Sequence, residues 1–80
     1  MKTIQKAVAM RISKLLIEHN NMTQYSLSLK SGISKQGIAN IINEKYKTIK
    51  LETIVKIADC FNMTIQEFFN DEIFKDLYIE

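Results

Sequence analysis

The sequence predicts an all-α domain of five short helices followed by a short apolar tail. Ile, Leu, Met and Ala dominate the apolar residues, there is no proline to force any segment out of helix, and apolar positions recur at steps of three and four. Eighty residues make one domain, 1–80, with a core over about residues 4–70 and a tail over 71–80. A chain this short buries only about 60–65% of the surface that its unfolded form exposes, so oligomerisation would help it.

The first helix is expected from about Thr3 to His19, with Ile4, Val8, Ile12, Leu15, Leu16 and His19 as its buried stripe. Met10 and Ile17 fall on the opposite side, either as a partner contact or as ordinary scattered surface hydrophobes. Asn20-Asn21 breaks the helix, because asparagine tolerates left-handed geometry. Thr23 caps a second helix that turns Leu27 and Ser31 inward, and Ser28 is small where two helices cross steeply. Gly32 reverses the chain at positive φ, Ile33 plugs the gap, and Ser34 caps the third helix. Ile38, Ile41 and Ile42 supply that helix's apolar side, and it ends near Asn43.

A polar loop, Glu44 to Lys50, leads to a fourth helix from about Leu51. Its expected inward residues are Leu51, Ile54, Val55, Ile57, Ala58 and Phe61, and Asn62 ends it. Thr64-Ile65-Gln66-Glu67 is a capping box that opens a fifth helix burying Ile65, Phe68 and Phe69. The tail from Ile73 to Ile79 reads either as a helical turn on the core or as an edge strand. Cys60, the only cysteine, reads as a small buried hydrophobe, which weakly favours a reducing compartment.

The net charge of +2 hides an asymmetry. Residues 1–50 carry nine Lys/Arg against Glu18 and Glu44, a net of +7. Residues 51–80 carry two lysines against seven acidic residues, a net of −5. A basic half that includes the Thr23–Asn43 helix pair suits a protein presenting one face to a polyanion; the alternative is ordinary solvated charge. That pair has the layout of a helix-turn-helix, because the second of its helices is apolar on one side and polar on the other.

Several short stretches occur together in order. They are Arg11-Ile12, Met22-Thr23-Gln24, Leu27-Ser28, Gly32-Ile33-Ser34, Ile38, Ile41, Leu51-Glu52-Thr53, Lys56-Ile57-Ala58, Met63-Thr64-Ile65 and Glu67-Phe68-Phe69. Over about 60 of the 80 residues the chain resembles the phage repressor and Cro type of helix-turn-helix domain, the XRE family. The resemblance implies a five-helix, lambda-repressor-like fold, usually dimeric, acting as a transcriptional regulator through its third helix. It matches Lys35, Gln36 and Asn40 to base contacts, Gln24 to a phosphate contact, and Asn43, Lys45 and Lys47 to backbone contacts. Gly37 departs from the usual Ser or Thr, Glu44 from a frequent glycine, and Leu29 from a usually polar site.

The chemistry agrees with these positions. The amides of Gln36 and Asn40 match adenine N6/N7, and Lys35 can donate to guanine O6/N7; the bland alternative is solvated helix residues. Phosphate contacts are expected from Gln24, Tyr25, Ser34, Asn43, Lys45 and Lys47, with Lys50 adding charge. For Tyr25, simple packing is an equal alternative. The expected partner is double-stranded DNA carrying an inverted repeat, bound by a homodimer with recognition helices about 34 Å apart. The tail and, second, Met10/Ile17 are the candidate dimer surfaces; otherwise the chain is a monomer with its tail on its own core. An antitoxin that binds a protein partner through its acidic half, and autoregulates through the same helix, is the alternative function.

No catalytic residues, metal ligands or cofactor are expected. His19 is the only histidine, no phosphate-cradling glycine loop exists, and Asp71, Glu72 and Asp76 lack calcium-loop spacing. No apolar run approaches the ~20 residues needed to span a bilayer, and Arg11 and Lys14 interrupt any signal-peptide core, so a cytoplasmic location is expected.

Overall fold

The computed structural model describes residues 1–78; Ile79, the last apolar residue of the tail, and Glu80 lie outside the described residues. The named elements of the described residues are all helical: α1 Ile4–Glu18, α2 Gln24–Ser31, α3 Lys35–Ile42, α4 Leu51–Asp59 and α5 Ile65–Phe69, then a 3₁₀ turn, Glu72–Phe74.

Local chemistry sets most of the boundaries. The Thr3, Thr23, Ser34 and Thr64 hydroxyls each accept the backbone N–H three residues on. Glu67 returns the bond to Thr64 N–H, completing the capping box. Gly32 ends α2 at φ 75°. Left-handed residues end other helices too: Asn20 and Asn21 after α1, Asn62 after α4.

The core gathers Val8, Ile12, Leu15 and Leu16 of α1 with Leu27, Ile38, Ile41, Ile54, Ile57, Ala58, Phe61 and Phe68. The expected stripes were too wide at four positions, three of them aliphatic. Ile4 is 44% exposed, Leu51 65% and Val55 46%. Ile54, Ile57, Ala58 and Phe61 hold the inward line of α4; Val55 sits one step round from Ile54, and Leu51 lies in a first turn beside an open hollow shared with Ile4. His19 is exposed too, but its ring lies on Phe61 with centroids 4.7 Å apart. Cys60 is half-buried, its thiol donating to the Lys56 carbonyl; burial, then Asp59, raises its pKa against the pull of Lys30.

Arg11 is the buried residue that the apolar pattern does not announce. It is 6% exposed, on the same face as Val8, Ile12 and Leu15. Its guanidinium donates to the carbonyls of Phe68 (2.8 Å) and Glu67 (3.1 Å) and to the Asp71 carboxylate (3.0 Å). Helix α5 is only five residues long, and backbone N–H groups close part of its end: Asn70 bonds the Glu67 carbonyl and Asp71 that of Phe69. From α1, Arg11 adds a second donor at Glu67 and the donor at Phe68.

The tail is both a helical turn and a strand-like contact. Phe74 packs on Phe69, with centroids 4.8 Å apart, and on Phe68. Leu77 then forms a single parallel bridge with Lys2, and Tyr78 N–H reaches the Lys2 carbonyl at 2.9 Å.

Candidate nucleic-acid interface

The site is built from α2, α3 and the loop that follows. Helices α2 and α3 pack on each other, and α3 also packs on α1. Leu27, Ser28, Ile38 and Ile41 fill these contacts. The Ser28 hydroxyl turns back onto the Tyr25 carbonyl at 2.7 Å, so it leaves no unpaired polar atom in the crossing.

With that face buried, α3 exposes Lys35 and Gln36 to solvent and Asn40 partly. Gln36 Nε2 donates to Asn40 Oδ1 at 2.9 Å, one helical turn apart. Asn40 Nδ2 in turn donates to the Tyr46 hydroxyl at 3.2 Å. Lys35 Nζ stands 5.9 Å from the centre of the Tyr25 ring, a cation–π distance that joins the starts of α2 and α3.

The expected flanking residues Gln24, Tyr25, Ser34, Asn43, Lys45 and Lys47 are all exposed. The Ser34 hydroxyl already accepts Gly37 N–H as the helix cap. Asn43 is the C-cap of α3. Beyond it, Glu44 adopts φ 58°, with Glu44 N–H bonded to the Ile41 carbonyl and Lys45 N–H to that of Asn40. This is a Schellman turn with glutamate where glycine is favoured, and it fixes the backbone of Lys45 against the end of α3. Gln5 of α1 donates its side-chain amide to the Lys47 carbonyl and tethers the loop.

Gly37 lies under this face rather than on it. A Cβ there would meet the Ile33 Cγ2 at 3.0 Å and the Ser34 Oγ at 3.1 Å. The sequence reading missed Tyr46 and Gln5. An aromatic between Lys45 and Lys47, directly after the polar helix, was the available signal for Tyr46; Gln5 offered none.

A short helix with an apolar back and an amide-bearing front, braced by a second helix across a left-handed glycine, defines the helix-turn-helix class. The sequence pattern of the Cro/C1-type HTH DNA-binding domain matches residues 11–72, well over half of the chain, and the protein belongs to that family. Searches of curated proteins and of solved structures found no match. No helix among the described residues is long and apolar enough to cross a membrane.

Proposed function

We propose that this DNA-binding domain is a sequence-specific transcriptional repressor that reads the major groove with α3 and works as a homodimer on an inverted repeat. The observation that carries the reading is the outward face of α3: Lys35, Gln36 and Asn40 share it, with Tyr25 beside Lys35. Amides at one-turn spacing suit adenine edges and the lysine suits guanine. Gln24 and Tyr25 on one side, and Asn43, Lys45 and Lys47 on the other, are proposed to hold the phosphates that set the register.

Selection of bound duplexes from a random pool, followed by anisotropy titration at several salt concentrations, tests this. The expected outcome is a two-fold symmetric site whose affinity falls steeply with salt. Replacing Lys45, Lys47 and Lys50 by alanine should weaken all sequences alike and lower the salt slope by roughly one per lost phosphate contact. Replacing Gln36 and Asn40 by alanine should instead relax base preference. An unselective protein, or a salt-independent affinity, would overturn the reading.

A further inference from the structure

Resting on that DNA-reading assignment, we infer that Tyr46 is a positioning residue that sets which base Asn40 prefers. An exposed asparagine amide is close to symmetric: turned over, it offers a donor where it offered an acceptor. A base edge is not symmetric, so a freely turning amide reads it poorly. Here the Asn40 amide is held at both ends. Gln36 Nε2 donates to its oxygen at 2.9 Å, and its nitrogen donates to the Tyr46 hydroxyl at 3.2 Å.

The arrangement leaves a definite pattern facing outward. Gln36 keeps its carbonyl oxygen and one N–H. Asn40 keeps one N–H and one lone pair, and the Tyr46 O–H is free to donate onward. A paired acceptor and donor is what adenine N6/N7 requires. The restraint also removes freedom that binding would otherwise have to remove.

Tyr46 is itself held in place. Its ring lines a hollow with Ile33, Gly37, Ile41 and Ile49, and it is 40% exposed. The Schellman turn at Glu44 and the Gln5 tether at Lys47 fix the backbone on either side of it.

Tyr46→Phe keeps the ring and removes only the hydroxyl. Both proteins are to be titrated on the selected operator and on its single-base variants, with a thermal melt as a folding control. The expected result is a loss of preference of about three- to ten-fold at one base position per half-site, with the salt slope unchanged. In an Asn40→Ala background the same substitution should have no further effect, because the tyrosine acts through that amide. A uniform loss across all sequences would make Tyr46 a plain phosphate contact and overturn the inference, as would an unaltered preference. A wild-type chain that selects no sequence would defeat the DNA-reading assignment itself, a result distinct from a selective wild type matched by an equally selective variant.

Discussion

Asp71 shows how much one side chain can organise. Its carboxylate takes the Lys14 ammonium at 2.8 Å and Arg11 at 3.0 Å, and its other oxygen accepts Ile73 N–H. The Lys14 hydrogen bond, then that of Ile73, holds its pKa below the ordinary value of 3.8 against the opposing effect of burial. A carboxyl whose folded-state pKa is lowered stabilises the fold above its unfolded pKa and loses that contribution as pH falls through the folded one. Thermal stability should therefore decline from about pH 5 downward. Asp71→Asn should lower stability near neutrality by about 1–3 kcal/mol and flatten that decline. Melting curves across the acid range check both halves of the expectation.

Among the elements, α3 carries an internal conflict at Gly37. Alanine there would gain up to ~1 kcal/mol of helix propensity. It would also press a methyl against Ile33 at 3.0 Å and against the capping hydroxyl of Ser34. Ile33 is packed on the core and Ser34 is bonded, so neither gives way freely. Gly37→Ala should lower the melting temperature in the native chain and lower it less in an Ile33→Ala background, where only the Ser34 contact remains; equal effects in both would refute the clash with Ile33. Helix ends were legible in the sequence because capping is local: Thr23, Gly32, Ser34 and the Thr64–Glu67 box act within four residues. Helix faces were less so. Ile4, Leu51 and Val55 have the right residue type, but no neighbouring element among the described residues covers them. Burial of Arg11 depends on carbonyls 56 and 57 residues away, which periodicity does not encode. Its one trace was an arginine on an apolar stripe.

At the scale of the whole molecule, the positions of the base-reading candidates followed from the helix pair, while their coupling to Tyr46 depended on how the loop folds back. The proposed homodimer also belongs here. Ile73, Phe74 and Leu77 are half-buried on the chain's own body, whereas Met10 and Ile17 (67% exposed) border an open groove with Ala9, Ser13, Ile42 and Ile73. Ile17→Lys should convert a dimer to a monomer in sedimentation, and Tyr78→Lys should leave the mass unchanged; the reverse pattern would assign pairing to the tail.

The bridge between Lys2 and Leu77 brings the two ends of the fold side by side. The two segments run parallel there, so a peptide that joins them must cross back along the bridge and needs about a dozen residues to close the backbone into a ring. Cyclisation would remove conformations from the unfolded chain, not add contacts to the folded one. Heat resistance should rise while the outward amides of α3 stay as they are, which makes this helical domain a natural scaffold for a circular version of itself.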